Sequence, residues 1–221
     1  MDYHSTILIF GCGESMTPEI QEKVPELVNN FVTGAVNNFP VLLNDETTDR
    51  TKTLPVDYWC ALDEGMVNDM MARRTTQNLL INAHCTVETI LRFKRTPHIP
   101  FMHAQNPTTE LTEPLYLSGI FASAIPLCNY LLLLGYKNLI LFGMDNKTDK
   151  DGNWKHFYSD RFNEAPSKKT INQIYKISEQ FQELDKAFPN SNFYVVGESY
   201  LPFPRIDFQA LYESKEIKEI P

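Results

Sequence analysis

The sequence predicts an α/β fold: a Rossmann-like, doubly wound and mostly parallel sheet in a single domain spanning residues 1–221. Three observations carry this. Short apolar runs alternate with helix-like segments along the chain. Glycine, asparagine and aspartate collect just after those runs. A length of 221 residues is also one that a single core can serve, since cores stop growing at ~250–300 residues.

Residues 6–10 (TILIF) are apolar without alternation, which suits a strand buried on both faces, and Gly11-Cys12-Gly13 closes them. Thr17, Pro18 and Glu19 supply an N-cap, a first-turn proline and an early acid. A short helix should follow, interrupted at Pro25. A second run, 31–36, ends in Asn37 and Asn38, and the polar, aperiodic residues 44–55 read as a loop. Residues 57–62 (DYWCAL) form a third strand, closed by Asp63, Glu64 and Gly65, and helical spacing resumes over 66–73. Residues 78–83 and 98–104 are two more strands, with a helix over about 86–94 between them and a proline-bounded loop over 105–114.

Residues 118–134 read as one long helix, apolar on nearly all sides and therefore buried, capped by Gly135. The next strand, 138–142 (NLILF), is closed by Gly143-Met144-Asp145. The polar stretch 146–166 is long for a connection, and such loops carry function or are disordered. Ser167 caps an amphipathic helix reaching Lys186, and 192–197 are a last strand before a proline-rich tail.

Composition narrows the partners. The net charge of −8, from 28 acidic against 20 basic residues, lacks the footprint of a protein that grips phosphate backbones, so duplex nucleic acid is a poor partner. Only a local patch such as Arg92, Lys94 and Arg95 runs against this. The four cysteines, Cys12, Cys60, Cys85 and Cys128, form no CxxC pair and read as reduced, small hydrophobic residues, with no zinc site. The most apolar stretch, 120–134, is too short for a membrane span and holds Pro126 and Asn129. With no basic leader or cleavage signal at the start, the expectation is a soluble cytoplasmic protein with no membrane contact; homo-oligomerisation is left open.

In a doubly wound sheet, ligands bind outside the carboxyl ends of the strands, near the switch in strand order. Gly11, Cys12, Gly13 and Ser15 could bring backbone N–H groups to a phosphate, or form only a tight turn. The third glycine of the dinucleotide fingerprint is missing, so NAD is not indicated. Asp63 suits a ribose hydroxyl or a metal ion, and equally a helix cap. Asn37 suits a base or sugar, or plain turn chemistry. Ser118 and Gly119, at the expected start of the buried helix, offer N–H donors to an anion, or an ordinary serine cap. Asp145 either belongs to the site or holds the following loop through hydrogen bonds. His156, with Tyr158 two residues on, is the candidate acid–base group, since an imidazole can take the proton of an acceptor hydroxyl; a loop histidine can also simply be solvated. His84 is a weaker rival, while His4, His98 and His103 lie near the terminus or bracket a strand.

Several segments share an order with a known family. Gly11-Cys12-Gly13-Glu14-Ser15 resembles a G-x-G-P-S motif, and residues 34–38 resemble the V-N segment that follows it. Residues 56–63 resemble a "vDYwv-D" segment. Residues 133–145, then Asp151-Gly152 and His156, resemble an "lGyk-i-lfGmD … dG … H" signature, and 199–208 resemble a closing "s-L--fp-idf" pattern. Together these resemble the MptE-like family, named after archaeal hydroxymethylpterin diphosphokinases and including flagellin-glycosylation accessory proteins. The motif order is also similar to that of small bacterial sialyltransferases that use CMP-sialic acid. The resemblance implies nucleotide contacts from the glycine loop, Asn37, Asp63 and the Ser118 region, with His156 as general base and Tyr158 near the phosphate. The Ser118 match needs a gap; an ungapped match selects Ser123. Cys12, Glu14 and Asp63 depart from the pattern, which has a polar residue, proline and asparagine there.

The expectation is a transferase that uses a nucleotide sugar and a small-molecule, glycan or protein acceptor, with His156 deprotonating the acceptor and Asp145 orienting the loop or sugar. A Mg²⁺-ATP-dependent diphosphokinase, with Asp63 and Asp145 on the metal, is the alternative. A non-catalytic nucleotide- or glycan-binding accessory protein is the third.

Overall fold

The computed structural model describes residues 5–37, 39, 54–63, 78–82, 98–119, 122–156, 167–168 and 170–214. The helices expected over 66–73 and 86–94 lie outside these residues, as do His84, Cys85, the Arg92, Lys94 and Arg95 patch, and Tyr158. The first half of the chain forms β1 (Thr6–Phe10), α1 (Pro18–Asn30), β2 (Val32–Val36), β3 (Tyr58–Ala61), β4 (Asn78–Asn82), β5 (Ile99–Ala104) and β6 (Tyr116–Ser118). The second half forms α2 (Ala124–Leu133), β7 (Asn138–Phe142), β8 (Asn153–Trp154), β9 (Ser167–Lys168), α3 (Ile171–Ala187), β10 (Asn192–Val196), β11 (Arg205–Ile206) and α4 (Phe208–Ser214).

Nine of these strands make one sheet in the order β11-β10-β7-β1-β2-β3-β4-β5-β6. Every neighbouring pair in it is parallel. The chain winds outward from β1 through β6, then returns to the other side of β1 to lay down β7. The switch in winding therefore falls between β1 and β7.

Alternation within the strands explains why their sequences do not alternate. Leu8, Phe10, Ile140 and Phe142 pack on one face with Ile20, Val24, Leu27 and Val28 of α1 and Leu211 of α4. Ile7, Ile9, Leu139 and Leu141 pack on the other with Ile125, Leu127 and Leu131 of α2 and Ile177, Phe181 and Leu184 of α3. All five residues of β1 are fully buried. Each such side chain contributes about 1.5–3 kcal/mol relative to exposure, so both faces select apolar residues.

Four elements differ from expectation. Helix α1 runs through Pro25, which is exposed; the proline removes a bond on the solvent side while the buried stripe stays packed. Helix α2 begins at Ala124 and not at Ser118, because residues 116–118 are extended and pair with β5. Asn129 of α2 anchors that strand: its Oδ1 accepts from Ser118 N at 2.9 Å and Thr108 N at 3.2 Å, and its Nδ2 donates to Thr108 O at 2.8 Å. Ser167 is not a helix cap but part of a short antiparallel ribbon with β8. Helix α3 starts later, under a reciprocal capping box between Thr170 and Gln173. The proline-rich tail holds β11 and α4. Gly135, with φ of +93°, does follow the end of α2 as expected. Cys12, Cys60 and Cys128 are buried free thiols.

Candidate functional site

A cleft of about 470 Å³ opens at the carboxyl ends of β1, β2, β3 and β7, across the switch point. The structure brings Gly11, Cys12, Gly13, Asn37, Asp63 and His156 together in its wall, although they come from four separate stretches of sequence. It leaves out Ser15, Asp145, Ser118 and Gly119.

The glycines serve packing first. A Cβ on Gly11 would lie 2.7 Å from Gly143 O, and one on Gly143 would lie 2.4 Å from Gly11 O. A Cβ on Gly13 would lie 2.5 Å from the Asp145 carboxylate. Glycine at these positions lets the loops after β1 and β7 touch. Several loop donors are committed to that contact: Gly11 N donates to Phe142 O at 2.7 Å and Gly13 N to Gly143 O at 2.8 Å. What the loop offers the cleft is therefore close-packed backbone at its two glycines more than a nest of free N–H groups.

Asp145 clamps the same loop from below. Its carboxylate is buried, accepts Ser15 N at 2.9 Å, and also accepts the Ser15 hydroxyl. Burial raises its pKa, while the two Ser15 hydrogen bonds and Lys147 pull the other way. These bonds hold the loop 11–15, where the expectation was the loop that follows Asp145.

The opposite wall is the start of α2. Ala122, Ser123 and Ala124 line the cleft, so the positive end of a buried helix faces the glycine floor. Pro126, third in the helix, costs little there because first-turn N–H groups have no intrahelical acceptor. The Ser123 hydroxyl donates to Asn37 Oδ1 at 2.8 Å and accepts from Leu62 N at 3.1 Å. Asn37, at φ +54°, also receives the Trp59 indole N–H on its carbonyl at 2.6 Å. These bonds aim the Asn37 amide and tie the ends of β2, β3 and α2 into one rigid corner. Ser123 thus occupies the place expected for Ser118. Ser118 itself is fully buried at the end of β6, and Gly119, at φ +123°, packs against Ile125 and Pro126.

His156 lines the cleft, and its backbone forms an isolated antiparallel bridge with Gly13. Trp154, two residues earlier, also lines the wall and is held by the β8–β9 ribbon. On the β7 side, Met144, Ile177, Phe181 and Leu201 make the cleft apolar. Among the described residues the only carboxylate in the wall is Asp63, and no lysine or arginine lines it. No cluster of three or more histidine, cysteine or acidic residues among the described residues could hold a metal. No described helix is long and apolar enough to cross a membrane.

Sequence reasoning missed Trp154, Asn146 and Phe181 as cleft residues. Trp154 and Asn146 lie in the stretch 146–166, where no periodicity marks which side chains turn inward, and Phe181 is one of many apolar positions on an amphipathic helix.

No protein-family model matches the chain, and no curated protein matches it.

Proposed function

We propose that this chain is a nucleotide-sugar-dependent transferase whose donor lies in the switch-point cleft and whose general base is His156. The observation that carries this reading is the Gly13–His156 bridge, which joins the candidate base to the floor on which a phosphate would lie. Asn37 and Asp63, at the β2 and β3 end, suit ribose hydroxyls. The first turn of α2 suits the leaving phosphate, whose charge grows as the glycosidic bond breaks. His156 would take the proton of an acceptor hydroxyl as its oxygen attacks the anomeric carbon, and the nucleotide would leave with the bonding electron pair.

Charge favours a donor with a single phosphodiester. One negative charge suits a helix end with no lysine or arginine beside it among the described residues, whereas a diphosphate would call for a cation. The Mg²⁺-ATP diphosphokinase alternative places Asp63 and Asp145 on one metal, whereas Asp145 is bonded to Ser15 and of the two only Asp63 lines the cleft. Asp63 and Asp145 therefore do not make that two-carboxylate site. The MptE-like and sialyltransferase resemblance supports the transferase reading through the order of the glycine loop, Asn37, Asp63, Ser123 and His156 along the chain.

The test is His156→Ala, assayed for transfer and for donor hydrolysis with CMP- and UDP-linked sugars. The reading expects turnover to fall by about 10²–10⁴-fold with donor binding retained. Unchanged turnover would remove His156 from the chemistry. Donor binding without turnover in the parent protein would favour the non-catalytic accessory role.

A further inference from the structure

The β7 end of the cleft differs in character from the β2 end. Asn37, Asp63 and Ser123 make one end polar, whereas Ile177 and Phe181 of α3 and Leu201 make the other apolar, and Trp154 also lines the cleft. Asn146 also lines the cleft, with one hydrogen bond unmade. Its side chain is buried, its Nδ2 donates to Ser178 Oγ at 2.8 Å and to Ile174 O at 3.1 Å, and its Oδ1 has no partner. Because Ile174 O can only accept, the orientation of the amide is fixed and the oxygen is the atom left over. A buried oxygen with no donor is destabilising, so it calls for an explanation. Among the described residues, Asn146 Oδ1 is the only such atom whose residue lines the cleft. Asn146 also holds a left-handed backbone, φ +47°, immediately after the Asp145 clamp, so its position is set by the same loop contact that builds the floor.

We propose that this end is a ring-binding subsite: a flat-faced ring stacks on Trp154, and an N–H or O–H on the ring's edge donates to Asn146 Oδ1. The apolar side chains of α3 and Leu201 close the far side of the ring. Two parts of the proposed donor carry this chemistry, the nucleobase and the transferred sugar. The inference rests on the nucleotide-sugar reading, and it adds the two residues that would select the ring.

The test uses the whole chain with AMP, CMP, GMP and UMP alone, with CMP-sialic acid and UDP-glucose, and with free sialic acid and glucose alone. Binding is followed twice, by thermal shift and by intrinsic fluorescence. The protein has two tryptophans, and Trp59 is bonded to Asn37 O at the other end of the cleft, so the Trp154 signal is the part of the fluorescence change that Trp154→Leu abolishes. Trp154→Leu should weaken binding by about tenfold or more, and Trp154→Phe should restore it, because stacking is the property lost and regained. Asn146→Gly keeps the left-handed backbone and removes the acceptor; about tenfold weaker binding is expected, with the melting point of the free variant reporting any loss of folding separately.

A Trp154 response to a nucleoside monophosphate alone assigns the subsite to the base. A response that needs a sugar-linked nucleotide, or appears with a free sugar alone, assigns it to the sugar. Thermal stabilisation that leaves Trp154 fluorescence and both sets of variants unaffected overturns the subsite while the nucleotide reading stands. No stabilisation by any of these probes overturns both.

Discussion

Replacing Asp145 by asparagine and by alanine separates a structural carboxylate from a catalytic one. Asp145 accepts from Ser15 N and from the Ser15 hydroxyl, and burial raises its pKa, so the folded protein tolerates its neutral form better than the unfolded chain does. Asparagine reproduces that neutral form: its Oδ1 can accept from Ser15 N while its Nδ2 donates to the hydroxyl, which can rotate to accept. Asp145→Asn should therefore lie within about 1 kcal/mol of the parent at pH 7 and should keep ligand binding. Asp145→Ala leaves a buried N–H and a buried hydroxyl without partners, at about 1–3 kcal/mol each, or on the order of 3 kcal/mol together. In a chain of this size that is a melting-point loss of about 6–12 °C.

The pH dependence has a definite sign. Between the unfolded carboxylate pKa of about 3.9 and the higher folded value, the folded state holds more protons. The contribution of Asp145 to stability therefore falls as pH rises through that window and is level above it. Asp145→Asn removes this slope, so its stability relative to the parent should improve as pH climbs out of the acid range. Melting curves from pH 4 to 8 on both variants check this. The reasoning is refuted if Asp145→Asn melts as low as Asp145→Ala, or if asparagine abolishes ligand binding in a protein that remains folded.

Other substitutions probe the remaining joints of the site. Gly13→Ala puts a Cβ 2.5 Å from the Asp145 carboxylate and should cost about 1–3 kcal/mol by overpacking, read by denaturant unfolding. Ser123→Ala removes the donor to Asn37 Oδ1 and the acceptor of Leu62 N, so it should lower stability by about 1–3 kcal/mol and weaken nucleotide binding in titration calorimetry. Thr170→Ala, at the start of α3, should cost about 1 kcal/mol and leave binding unchanged, because the capping box it breaks is exposed. Ser118→Ala should likewise leave binding unchanged, since Ser118 is buried at the end of β6, away from the cleft.

The sheet was legible wherever burial on both faces forced a continuous apolar run. β1 and β7 match the runs 6–10 and 138–142 residue for residue, and β2, β3 and β10 lie within the runs that predict them. β6 was hidden because its three residues lead straight into the apolar run before the helix, and what makes it a strand is pairing with β5, with one bond from Asn129, eleven residues away, at Ser118 N. The same fact displaced the serine of the site from 118 to 123. Ser167 failed as a cap because its backbone pairs with Trp154, a partner that local sequence does not reveal. The site was half legible: position after a strand points to Gly11, Gly13, Asn37 and Asp63, but it cannot tell a side chain facing the cleft from one facing the scaffold. Asp145 and Ser15 sit at equally suggestive positions and face each other instead.

The most direct measurement is a thermal-shift panel of nucleoside mono-, di- and triphosphates and common nucleotide sugars, each with and without Mg²⁺. A ligand at 100 times its dissociation constant stabilises by about 2.7 kcal/mol, well within reach of a melting curve. The account predicts metal-independent stabilisation by one nucleotide sugar and by its nucleotide product, diminished in Ser123→Ala. Stabilisation by Mg²⁺-ATP alone, or none across the panel, would contradict it.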